Sequence, residues 1–150
     1  MAESAVEARL RMARVARLAT CDAEGRPHVV PVCFVYHREV LYTALDRKPK
    51  RSSVEKLTRV RNIETNPEVA LLLDEYDENW EKLWYVLVRG RASILRNGAE
   101  QQEVVVQLRN KYPPYASLQL LPARAPVIRV VPVKITSWSG VEGTGLTPPA

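Results

Sequence analysis

Cysteine is scarce in this chain: Cys21 and Cys33 are the two among 150 residues. They are too few and too far apart for a zinc site or a CxxC redox pair, and a disulfide-stapled scaffold is excluded with them. Both lie in apolar, strand-like runs and read as small buried hydrophobes. Long apolar runs are missing too; none approaches the ~18 residues of a spanning helix. The segment MAESAVEARL has no basic stretch followed by an apolar one, so no signal peptide is read. These absences set the expectation of a reducing cytoplasm and no membrane. There is no internal repeat, no GxSxG, no HExxH, no Walker A and no cysteine beside an obvious base. His28 and His37 are isolated. No catalytic side chain and no metal ligand is therefore expected.

What the chain has is an ordinary globular composition, 46% hydrophobic and 26% charged. Its length suits one domain with a real core. The 22 Lys and Arg against 17 Asp and Glu leave a net charge of +5, which points to an anionic partner. Nucleic acid, a membrane surface and a phosphorylated small molecule all satisfy that balance.

Ser4 can cap a helix over 4–13, with Glu7 three positions on. Strands are expected over 15–20, 29–36, 40–46, 69–74, 83–95 and 127–138. The 29–36 run is nearly all apolar, which suits a strand covered on both faces. Pro31 within it marks an edge, a bulge or a break. The first three strands read as an antiparallel meander. A helix over 52–66 starts at Ser52 or Ser53 and stops at Pro67. A helical turn is expected around 80–82, and a helix over 98–111 turns Val104, Val105 and Leu108 inward. Gly90 calls for a bend or bulge. Strands joined mostly by hairpins argue against a parallel doubly wound sheet. They predict a mainly β (α+β) domain over 1–139, a six-stranded antiparallel barrel with flanking helices, and a loose tail over 140–150.

The densest chemical feature is the run from Tyr42 to Ser53. There a strand ends, Arg47, Lys48, Lys50 and Arg51 follow, and a helix begins. Helix amino termini offer free N–H groups and partial positive charge. Added cations make a pocket for phosphate, with lysine as a point charge and arginine as a fork. A solvated charge run in a surface loop fits the same residues. Arg59-Val60-Arg61-Asn62-Ile63 sets Arg61 beside the apolar face of its helix, to snorkel or to bind an anion. Trp80, Trp84, Tyr85, Trp138, Tyr112 and Tyr115 suit core or interface packing, or stacking on a planar ring. Nucleic acid is disfavoured, because the cations gather at one junction instead of lining a face.

These residues resemble the pyridoxamine 5′-phosphate oxidase-like superfamily of split β-barrel flavoproteins. The likeness runs through Arg17-Leu18-Ala19-Thr20, the hairpin from Asp22 to Val32, Leu41-Tyr42-Thr43 and Arg47-Lys48-Pro49-Lys50. Arg59 to Ile63, Asn66-Pro67-Glu68-Val69 and Tyr112-Pro113-Pro114-Tyr115 resemble elements of its deazaflavin-dependent branch. The resemblance implies a split barrel and a homodimer with two cofactor sites at the subunit interface. It implies a cofactor phosphate held by Lys48, Lys50 and Arg59, with Arg47 and Arg61 as lesser candidates. Thr43 belongs to the matching strand, and the cofactor ring lies against the strand matching Val30 to Cys33, so Pro31 and Val32 join the site. Branch members use coenzyme F420 for hydride transfer, others use FMN, and some bind haem or biliverdin. The Arg and His set that grips pyridoxal phosphate is absent. The expected function is an F420-dependent oxidoreductase acting on a small organic substrate. An FMN-binding flavoprotein of the same class, or a non-catalytic binder of flavin, F420 or haem, is the alternative.

Overall fold

A computed structural model describes residues 3–46 and 57–140. Helix α1, Ala5–Met12, starts where expected, with the Ser4 hydroxyl accepting the Glu7 N–H at 3.1 Å. Strands β1 (Ala16–Cys21) and β2 (Pro27–Val32) form a hairpin. The Asp22 carboxylate closes its turn by accepting the N–H groups of Glu24 and Arg26, each at 2.9 Å. Strands β3 (Val35–His37) and β4 (Val40–Ala44) form a second hairpin. Its two-residue loop, Arg38 and Glu39, has φ of 51° and 66°, the left-handed geometry that matches strand twist in tight hairpins. Then follow α2 (Thr58–Thr65), β5 (Glu68–Glu75), a single 3₁₀ turn at Trp80–Lys82, β6 (Trp84–Leu95), α3 (Ala99–Lys111), α4 (Pro113–Ser117) and β7 (Val127–Ser139).

Seven strands form one antiparallel sheet in the order β2-β1-β5-β6-β7-β4-β3. Its two edges, β2 and β3, are consecutive in the chain and joined by Cys33 and Phe34 alone. Laid flat, six inter-strand gaps would part those edges by about 29 Å. Three peptide steps from Val32 to Val35 reach at most about 11 Å. The sheet therefore curls until its edges approach, which makes an antiparallel barrel with a split between β2 and β3.

This corrects three expectations. The 29–36 run is two strands, so the count among the described residues is seven and not six. The meander is also absent, because β2 pairs with β1 and β3 with β4, at opposite ends of the sheet. Nor is β2 covered on both faces, since Val29 is 59% exposed. The physical reason is Pro31, which has no N–H for a second ladder and suits an edge.

Leu18, Leu71, Leu73, Val86, Val88 and Ile128 fill the barrel, and α2 adds Val60 and Ile63. A second cluster forms where Val104, Val105 and Leu108 of α3 meet Val35, Tyr42 and Val127. Each such fully buried aliphatic side chain contributes roughly 1.5–3 kcal/mol. The bulge falls between Arg89 and Gly90, where a Cβ on Gly90 would stand 2.5 Å from the Val131 carbonyl oxygen. Tyr112 pins the split: its hydroxyl accepts the Phe34 N–H at 3.0 Å and lies within donating distance of the Arg14 and Phe34 carbonyls.

Candidate functional site

The site forms where β4 ends and α2 begins. Asp46, just past β4, is 8% exposed and accepts the Tyr115 hydroxyl at 2.8 Å. Arg59, on the first turn of α2, reaches toward the same pair. Burial draws its guanidinium pKa down, and the nearby Asp46 and Tyr115 oppose that pull. Burial raises the Tyr115 hydroxyl pKa, helped by its hydrogen bond to Asp46 and the charge there. The Arg59 Nε is enclosed and has no hydrogen-bond partner among the described residues. A buried guanidinium nitrogen without an acceptor is costly. Position and chemistry suit an anion arriving beside it.

Arg61 does not share this position. Positions two apart on a helix are separated by about 200° around its axis. Arg61 is exposed and lines a cleft of about 320 Å³ with Thr58, Asn62 and Thr65, facing Asp22 and Arg26 of the β1–β2 turn. The structure thus divides two cations that the sequence motif placed together. Arg47, Lys48 and Lys50 lie outside the described residues, as do the expected caps Ser52 and Ser53. At the amino terminus of α2, Leu57 occupies the cap position and supplies no side-chain hydrogen bond.

The remaining candidates lie on strands. Thr43 is 3% exposed in β4, three residues before Asp46. Pro31 faces solvent on β2 opposite Arg17, while Val32 turns inward at 7% exposure. Among the described residues β1 is the one sheet neighbour of β2, which leaves alternate backbone groups on its other side without a ladder partner there. Such an edge can hydrogen-bond the rim of a planar ring. The Asn62 amide donates to the Thr20 hydroxyl at 3.0 Å, and Thr20 pairs with His28 of β2. That bond fixes α2, and Arg59 with it, against the β1–β2 hairpin.

The aromatic residues separate into different places. Trp84 donates its indole N–H to Glu75 at 3.1 Å and carries the Arg9 guanidinium 4.8 Å above its ring. It lines an apolar groove of about 250 Å³ with Ala8, Met12 and Ala13. Tyr85 stacks on Trp138 at 6.3 Å, and Trp80 is 48% exposed on the 3₁₀ turn. Tyr115 is buried against Asp46, away from the Trp84 groove. Trp84 and Tyr115 therefore belong to different places in the fold. Among the described residues no three His, Cys, Asp or Glu side chains gather to hold a metal ion, and no helix is long and apolar enough to cross a membrane.

Sequence reasoning named Arg59 and missed the buried Asp46–Tyr115 pair beneath it. Asp46 read as a strand end and Tyr115 as a packing or ring-stacking aromatic; its packing is borne out at 4% exposure, but nothing local joins positions so far apart in the chain.

Comparison with known proteins gives three findings. The family model described as pyridoxamine 5′-phosphate oxidase matches residues 2–141. The chain is 28% identical over 138 residues to a 5a,11a-dehydrotetracycline/5a,11a-dehydrooxytetracycline reductase of Streptomyces rimosus, covering 89% of this chain and 80% of the reductase. Among solved structures, a conserved hypothetical protein of Mycobacterium tuberculosis superposes with a TM-score of 0.73 at 20% identity, over 93% of this chain and 85% of the other. A protein described as an F420 reductase superposes with a TM-score of 0.66 at 25% identity, over 90% of this chain and 98% of the other.

Proposed function

We propose that this chain, which belongs to the pyridoxamine 5′-phosphate oxidase family, is an F420-dependent oxidoreductase that acts on a small organic substrate. The observation that carries the reading is the enclosed, unpartnered Nε of Arg59 at the β4–α2 junction. An anionic cofactor group supplies the missing acceptor. Lys48 and Lys50, which lie in sequence between β4 and α2, are the further cations assigned to that group, with Arg47 as a lesser candidate. The free backbone edge of β2 near Pro31 and Val32 meets the cofactor ring, and Thr43 lies on β4, which precedes the cation run in the sequence. When bound, the deazaflavin supplies hydride transfer; the protein binds, orients and excludes water. No side chain is assigned as a nucleophile.

Two relatives support the redox half of the reading, one described as a dehydrotetracycline reductase and one as an F420 reductase. The net charge of +5 favours the polyanionic tail of F420 over the compact FMN. The cofactor sites belong to a homodimer. In support, the stretch of β7 that β4 pairs is 127–130, and among the described residues β6 is the one strand paired along the rest of β7. Val131, Val133 and Ile135 there are 39%, 71% and 40% exposed. A long apolar strand with a free edge is covered by a partner or aggregates.

Separate titrations with F420 and FMN test this reading, followed by fluorescence. F420 should bind more tightly, and the reduced cofactor should then be oxidised by a substrate from an organic-acceptor screen. Tighter FMN binding moves the protein to the flavin side of the family. F420 binding without turnover makes it a cofactor carrier. Binding of neither removes the cofactor reading.

A further inference from the structure

Lys111 and Arg14 meet at the split between β2 and β3. The Lys111 Nζ stands 4.1 Å from the Phe34 ring centre and 5.4 Å from that of Tyr112. The Arg14 guanidinium lies over the same Tyr112 ring at 4.7 Å and donates to the Lys111 carbonyl at 2.8 Å. Nζ is closed off from solvent and has no hydrogen-bond partner among the described residues. Among the described residues the groups that influence Lys111 are Arg14 and the Cys33 thiol, with the Phe34 and Tyr112 rings in contact; no carboxylate is among them. Burial first, and then repulsion by Arg14, draws the Lys111 pKa down to about 8. Two cations on one ring repel, and a buried ammonium without an acceptor is costly. One negative group between them would relieve both penalties. Arg14 is exposed, so such a group approaches from its side.

We propose that Arg14 and Lys111 bind a single oxyanion, a carboxylate or a phosphate, at the seam of the barrel. The site adjoins the end of β2, the strand proposed above to meet the cofactor. On that reading, and resting on it, the oxyanion is the acidic group of the substrate, and the substrate class is small organic acids or their phosphate esters. The ion site itself follows from the two cations and stands without the cofactor.

The test follows Lys111 by NMR in the full-length protein with labelled lysine, from neutral to alkaline pH. Sodium acetate or sodium phosphate is added against sodium chloride at equal ionic strength. Lys111→Met assigns the signal by its loss. In the wild type the Lys111 pKa should rise by about one unit, a tenfold gain in proton affinity. Arg14→Gln should abolish that rise while leaving the amide spectrum folded. A rise with acetate alone identifies carboxylates as the ligand class, a rise with phosphate alone identifies phosphates, and a rise with both identifies the shared oxyanion. No rise with either ion, or a rise undiminished in Arg14→Gln, overturns the proposal. A rise in a protein that fails to bind F420 leaves the ion site standing and removes only the cofactor reading.

Discussion

Arg59 reaches into the protein, while Arg61, two positions later, stays in solvent. The motif that holds both was legible in the sequence, and so was the idea of an anion near it. The division of labour was not, because it depends on which face of α2 meets Asp46 and Tyr115. The chain separation between those two, 69 positions, explains why their hydrogen bond left no local signal. Lys111 was also invisible as anything but the last residue of a helix. Its burial yields a prediction with a definite sign. The folded pKa is drawn from 10.5 to about 8, so between those values the unfolded chain binds more protons. Stability contributed by this group is therefore present above the higher value and is lost as pH falls through the lower one. Lys111→Met should be more stable than the wild type near neutral pH in oxyanion-free buffer. Its advantage should shrink by about pH 9.5 as the wild-type amine loses its proton. Urea denaturation at the two pH values checks this, and a constant difference would contradict it.

Most elements were readable from periodicity and punctuation. The Ser4 cap, the helix ending at Lys111, the turn at Asp22 and the irregularity at Gly90 all appear where the residue types demand them. The break at Cys33–Phe34 was harder, since an unbroken apolar run looks the same whether it stays in one sheet position or crosses to the other edge. Pro31 was the available clue, and it signalled the edge without locating the crossing. Gly90 supports an element-level prediction. Any Cβ there meets the backbone of Val131, which is too close at 2.5 Å for a side chain to yield instead. Gly90→Ala should destabilise the fold by roughly 1–3 kcal/mol, the usual cost of forcing atoms into a packed site. A urea midpoint unchanged from wild type would show that β6 and β7 relax apart at the bulge.

At the scale of the whole molecule, the split barrel follows from a short link between two sheet edges, and that constraint exists only once all seven strands are paired. Composition announced a globular domain, and strand spacing announced the antiparallel class. Neither names a surface for the proposed homodimer. The overhang of β7 supports one: Val133, 71% exposed, lies beyond the reach of β4. Val133→Lys costs a monomer little, because the side chain already meets solvent, but it sets a charge into the proposed dimer contact. Light scattering should show wild-type dimers and mutant monomers with matching circular dichroism. Equal masses for both would remove this strand from the interface.

The central claim is that Arg59 holds a cofactor anion. The most direct measurement is the F420 dissociation constant of wild type, Arg59→Ala and Arg61→Ala, taken by calorimetry in one buffer. Loss of a charge-assisted contact of about 1.5–3 kcal/mol predicts roughly 10- to 100-fold weaker binding for Arg59→Ala. Arg61→Ala, on the other face of the same helix, should change affinity several-fold less. Equal affinity in wild type and Arg59→Ala, with both folded, would contradict the account.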